Sequence, residues 1–307
     1  MPGNTDGGMV TTSTRAPAPS SATRHRAVVA ALVTVLLWAS AFVGIRMIGT
    51  AYSPGALAFG RIAVGALVLG AFAWRCRSPL PRGGAFALVI GYGVIWFAGY
   101  TAVLNLAERH LDAGTAALLV NVAPILVAVF AGLFLGEGFA RPLVIGIAIA
   151  FLGVVVIALG GSGGESVNDG IGIVLGLVTA LLYAAGVLMQ KVALRRVDTV
   201  TATFLGCATG AVVLLPFAPQ FVAQSMAAPT SAIAAVVYLG VFPTAIAFST
   251  WAYALARTDA GRMTATTLTV PAIAIVLSWL LLGELPTVLG MVGGALCLLG
   301  VAISRRH

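Results

Sequence analysis

Two prolines, five aromatic residues, one amide and one arginine are the residues of this chain best suited to bind a small molecule within an apolar setting. Pro124 and Pro271 each lack an N–H and free a carbonyl one turn earlier, at Val120 and Thr267. Within a membrane such a carbonyl needs a cavity or a partner. Each proline is therefore either part of a gate or a kink satisfied by neighbouring helices. Asn121 stands three residues before Pro124, on nearly the same helix face. Its amide can serve a polar solute or an interhelical hydrogen bond. Trp38 and Tyr183 occupy matching places, each about seven residues, or roughly 10 Å, inside an apolar run. Interfacial aromatics lie shallower than this. The pair can wall one pocket and stack on an aromatic or cationic group, or it can simply pack helices. Trp96, Tyr100 and Trp251 are further lining candidates. Arg61 must pair or face water. It can attract a carboxylate, snorkel outward, or hold Glu108 or Asp112. Arg46 reads similarly, with more weight on snorkelling.

Several chemistries are missing from the pattern. There is no His-Glu-x-x-His set, no Walker sequence, no Gly-x-Ser-x-Gly elbow and no pair of carboxylates placed for acid–base work. Cys76, Cys207 and Cys297 are far apart and suit packing rather than metal binding. No metal or cofactor is expected, and no enzymatic activity. All nine acidic residues fall in the N-terminal tail, in loops or at the ends of apolar runs. None is placed as a deep proton carrier, and an arginine cannot shuttle a proton.

The elements that must position these residues are membrane helices. The chain has 307 residues, 60% hydrophobic and 8% charged, with a mean hydropathy of +1.06. A soluble domain carries about 25% charged residues. Apolar runs of helix-spanning length predict ten spans, at 27–47, 55–74, 84–107, 112–135, 142–160, 170–190, 200–218, 231–256, 260–283 and 286–304. Residues 1–26 read as a disordered cytoplasmic tail, 27–160 and 170–304 as two halves, and 161–169 as a flexible linker. A cleaved signal peptide competes for the first run, which ends in Ala39-Ser40-Ala41.

The halves repeat each other. Leu32-Val33-Thr34-Val35-Leu36-Leu37-Trp38-Ala39 returns as Leu177-Val178-Thr179-Ala180-Leu181-Leu182-Tyr183-Ala184. Asp112, Gly114, Pro124, Gly136, Glu137, Gly146 and Gly153 return at one constant offset as Asp259, Gly261, Pro271, Gly283, Glu284, Gly293 and Gly300. This repeat argues against cleavage of the first run, which would discard half of a pair. With the N-terminus inside, fourteen of the 17 Lys and Arg residues face the cytoplasm and only Arg109 lies in an outer loop. That bias sets orientation and explains the net charge of +8 without nucleic acid. Five spans per half reverse the second copy, giving an inverted repeat around a central site. Glu137 and Glu284 suit the positive start of the helix that follows each. Gly146 with Gly153, and Gly293 with Gly300, form small faces for internal packing or for a homodimer.

Trp38-Ala39-Ser40-Ala41-Phe42-Val43-Gly44-Ile45-Arg46, Arg61 in Ala58-Phe59-Gly60-Arg61, and the segments from Pro124 to Gly136-Glu137 and from Pro271 to Gly283-Glu284 resemble the EamA-like branch of the drug/metabolite transporter superfamily. The resemblance covers about residues 27–304. It implies a ten-helix plasma-membrane protein that moves small organic solutes, often exporting amino acids or other metabolites. The second half departs from the pattern, with Tyr183 in place of tryptophan and no arginine in its second span. An intramembrane enzyme or a lipid flippase acting on a lipid-linked substrate is the alternative class. It lacks a convincing set of polar catalytic groups. Partners are expected to be the solute and membrane lipid, with the protein a monomer or homodimer.

Overall fold

The computed structural model describes residues 21–48, 51–77, 79–107, 110, 119–160, 170–282, 287–304 and 306. Glu108, Asp112, Gly114, Gly283 and Glu284, the side chain of Arg46 and the linker 161–169 lie outside them. The described residues form helices α1 (Ser21–Ile48), α2 (Pro54–Cys76), α3 (Gly84–Ala107), α4 (Ala123–Phe134), α5 (Arg141–Gly160) and α6 (Gly170–Ala193). Next come α7 (Thr199–Val213), α8 (Ala218–Ala227) and α9 (Thr230–Leu255). The remainder are α10 (Ala260–Ala265), α11 (Val270–Leu282) and α12 (Val288–Ser304). Among the described residues six apolar helical stretches are long enough to cross a membrane, or seven if the bent pair Thr199–Val213 and Leu215–Ala227 is one span; α4, α5 and α12 are shorter apolar helices. Leu67, Phe72, Leu152, Leu181 and Leu299 are exposed on their surfaces. In water such a surface would be costly; in lipid it is the expected one. The molecule is an all-helical, multi-pass membrane protein.

Local signals explain the boundaries. Pro54 stands in the first turn of α2, where its missing N–H costs nothing, and Arg77 ends the helix at φ 50°. The Asp198 carboxylate accepts from the N–H groups of Val200 and Thr201 and so starts α7. α1 begins at Ser21, so Arg24, His25 and Arg26 are helical rather than part of a disordered tail. A polar turn outside the hydrocarbon can extend a helix whose apolar part is already fixed by packing.

The seventh span differs from expectation. α7 stops at Val213, and the segment from Leu215 to Ala227 turns away by 53°. Pro216 and Pro219 forbid a continuous helix here. α8 then covers the start of α2. Gln224 Oε1 accepts from the Ser53 N–H at 2.9 Å, the Tyr52 and Ser225 hydroxyls are 3.0 Å apart, and Phe217 sits on Gly55.

The two halves share two irregularities that hydropathy did not reveal. Gly93–Tyr100 within α3 and Gly240–Ile246 within α9 are both π-helical, at matching positions. The turn at Asn121 and Val122 precedes α4, just as the 3-10 segment Thr266–Thr269 precedes α11. Pro124 stands in the first turn of α4 after the turn at Asn121 and Val122, and Pro271 directly follows the 3-10 segment inside the helical stretch Ala260–Leu281. α5 and α12 also pack antiparallel through the repeated glycines. A methyl group on Gly153 would lie 2.6 Å from the Gly293 carbonyl, and one on Gly146 2.5 Å from that of Gly300. The small faces serve internal packing.

Candidate functional site

The core holds one continuous cluster of rings. Trp38 on α1 meets Trp251 and Phe248 on α9, with ring centroids 5.0 and 5.3 Å apart. Trp96, in the π segment of α3, meets Trp251 at 5.8 Å, Phe248 at 5.2 Å and Tyr183 at 5.6 Å. Tyr100 completes the chain against Tyr183 at 5.7 Å. Five of the sequence candidates, Trp38, Trp96, Tyr100, Tyr183 and Trp251, are thus brought together. Rings from the first half interleave with rings from the second.

Local backbone explains the arrangement. A π turn widens the helix and re-aims the side chains it carries. It sets Trp96 against Gly186 of α6, where a methyl group would lie 2.6 Å from Trp96 Cβ. Trp96 and Trp251 are 1% and 0% exposed, so almost no water-sized space touches them in this conformation. Trp38 and Tyr100 are half-buried at the margins.

Polar groups edge the cluster. Gln190 on α6 is fully buried, and its Oε1 accepts from Trp251 Nε1 at 3.0 Å. Its Nε2 faces the Tyr92 hydroxyl, itself hydrogen-bonded to the Ala202 carbonyl, without forming a regular bond. The buried Tyr183 hydroxyl stands beside Thr267 and likewise has no regular partner among the described residues. Buried polar atoms without a regular hydrogen bond are rare in packed cores, and two beside one ring cluster make it the candidate site. The Thr34 and Thr250 hydroxyls are 2.8 Å apart, one turn from Trp38, and join α1 to α9.

The other candidates lie outside this ring cluster. Arg61 Nε donates to Thr244 Oγ1 at 3.4 Å, touching the π segment of α9. Asn121 is half-buried in the turn before α4. Glu137 does not serve the helix that follows it. Its carboxylate accepts from the N–H groups of Ala260 (2.8 Å) and Gly261 (3.2 Å), at the start of α10 in the other half. The unpaired N–H groups there attract it more than the distant start of α5 does.

That contact borders a polar cavity of about 480 Å³ at the basic end of the molecule, lined by Glu137, Lys191, Arg195 and Asp259. Lys191 Nζ donates to the carbonyl of Leu255, the last residue of α9, and to that of Thr258 just past it. Glu137 and Lys191 therefore tie α4 to α10 and α6 to α9 at one end. Gln190, Phe248, Lys191 and the partner of Glu137 were missed from the sequence. Gln190 carried one usable signal: an amide in the last part of a long apolar run.

The class of this duplicated helical fold is given by comparison with known proteins. The EamA-like transporter family model matches residues 25–159 and again 170–306. The chain belongs to this family and is a transporter rather than an enzyme. A probable terminal-alkyne amino-acid exporter of Streptantibioticus cattleyicolor is 34% identical over 92% of this chain and 94% of its own length. An uncharacterized transporter, YdfC, of Bacillus subtilis is 34% identical over 87% of each chain. A probable amino-acid metabolite efflux pump of Salmonella typhimurium is 25% identical, covering 89% and 93%. A solved crystal structure shares the fold at TM-score 0.76, with 21% identity over 91% of this chain and 96% of that one.

Proposed function

We propose that this protein exports an amino acid or similar small metabolite across the plasma membrane by alternating access. The observation that carries the reading is the ring cluster shared between the halves, with the Tyr183 hydroxyl and the Gln190 amide at its edge. Such a cluster suits a solute with an apolar side chain and a polar head. The named amino-acid exporter among the relatives supports this class and direction. Trp38, Trp96, Tyr100, Tyr183 and Trp251 contact the solute as the rings part. Asn121 and Arg61 contribute polar contacts along its path.

Ten spans in two inverted sets of five, 27–160 and 170–304, give the two mirrored gates. Both termini are cytoplasmic. The antiparallel α5 and α12 support the inversion, and the shared basic end supports the orientation. In this conformation Glu137 and Lys191 hold that end closed. Those bonds break when the solute loads from the cytoplasm. Pro124 and Pro271 begin the helices that move. Nucleic acid plays no part, and the working unit is a monomer or a homodimer.

The test is counterflow of labelled amino acids into liposomes that contain only this protein. Movement is expected without ATP and without dependence on an imposed pH gradient. Pro124→Ala and Pro271→Ala should change the rate more than the half-saturating concentration. Accumulation driven by the gradient would overturn the uncoupled mechanism. Unchanged rates in both variants would remove the prolines from the gates.

A further inference from the structure

A second cavity has a different chemistry from the ring cluster. It measures about 460 Å³ and opens at the basic end between α1, α7 and α9. Val29, Ala30, Val33 and Val200 form its apolar wall, and His25 and Arg26 stand at its mouth. On α1 these residues follow the spacing of one helix face, since positions 26, 29, 30 and 33 share a side.

Two of the lining hydroxyls are already engaged. The Ser249 hydroxyl is spent on the Ala245 carbonyl, and that of Thr250 on Thr34 and its own helix. An apolar groove of this size is poorly filled by water. Its mouth is cationic. Arg26 is exposed and pairs with no carboxylate among the described residues, and Oδ1 of Asp198, at the start of α7, accepts from two backbone N–H groups. Arg257, stacked 3.7 Å over Tyr253, adds a further cation at that rim.

We infer that this groove binds an anionic phospholipid: an acyl chain lies along Val29, Ala30, Val33 and Val200, and the phosphate meets Arg26 and the His25 ring. A basic mouth over an apolar slot between membrane helices is the arrangement that holds such a headgroup. The site also touches the transport machinery. Thr250 lines the groove and bonds Thr34 across the α1–α9 seam, next to the Trp38–Trp251 contact. A bound chain braces that seam.

Lipid titration of the full chain in detergent, followed by native mass spectrometry, tests the site. The probes are phosphatidylglycerol and phosphatidylcholine with identical acyl chains, with soluble glycerol phosphate as competitor. Phosphatidylglycerol should bind about fivefold more tightly, the worth of roughly one surface cation. Arg26→Gln should bring it to the level of phosphatidylcholine. Val29→Trp, which fills the groove from its open side, should weaken both lipids. Both variants should keep the lipid-free melting temperature, so that lost binding does not reflect lost folding. Equal binding of the two lipids, wild-type binding in both variants, or full displacement by glycerol phosphate would each overturn the assignment. A transport failure in liposomes would leave this binding result standing.

Discussion

Trp251→Ala is expected to be the most damaging single truncation in the core. Trp251 is 0% exposed and touches Trp38 and Trp96. Truncating a buried tryptophan costs about 3–5 kcal/mol through lost contacts and the cavity left behind. The Gln190 Oε1 acceptor also loses its donor, a further ~1–3 kcal/mol for a buried polar atom. Unfolding of the purified protein by heat or by denaturing detergent should show this variant well below wild type. Trp38→Ala, at a half-buried margin, should fall much less. Equal losses in the two variants would contradict the packing described for the cluster.

Gly153→Ala should destabilise the protein even though alanine is the better helix former. In an open helix the exchange would gain about 1 kcal/mol. At position 153 the added methyl lies 2.6 Å from the Gly293 carbonyl and 2.7 Å from the Cys297 nitrogen. Both are backbone atoms and cannot swing aside. Overpacking of this kind costs about 1–3 kcal/mol or more, so the net effect is a loss. Gly153→Leu should abolish folded protein. Gly170→Ala is the control, because nothing lies within 4 Å of its added methyl; its melting temperature should stay level or rise slightly. A stabilised Gly153→Ala would mean that α5 and α12 are not in backbone contact.

Much of this fold was legible because lipid imposes a simple rule: a crossing helix must be long and apolar. The repeat then supplied what single runs could not. The recurrence of Gly146 and Gly153 at Gly293 and Gly300 marked two small faces, though not that they meet, and the match of Trp38 with Tyr183 marked two members of the ring cluster. The rest depended on forces that leave little pattern. The π segments at Gly93–Tyr100 and Gly240–Ile246 look like any other apolar helix, since one added residue per turn hardly alters a uniformly hydrophobic run. α8 falls between the expected seventh and eighth spans, hidden by two prolines and a polar face. Glu137 was assigned to its sequence neighbour, whereas tertiary packing brought a nearer helix start from the other half. Gln190 escaped because its role rests on a partner, Trp251, far away in sequence.

The central claim is that the solute crosses at the ring cluster between the two halves. Counterflow of labelled amino acids in liposomes, compared between wild type and Trp38→Ala, tests it most directly, because Trp38 is only half-buried and its loss should spare the fold. The account predicts that at least one amino acid with an apolar side chain is exchanged by wild type. It also predicts that Trp38→Ala slows that exchange about tenfold, the cost of roughly 1.4 kcal/mol in solute contact, while the variant still melts cooperatively. Exchange that proceeds at the wild-type rate in a folded Trp38→Ala protein would contradict it.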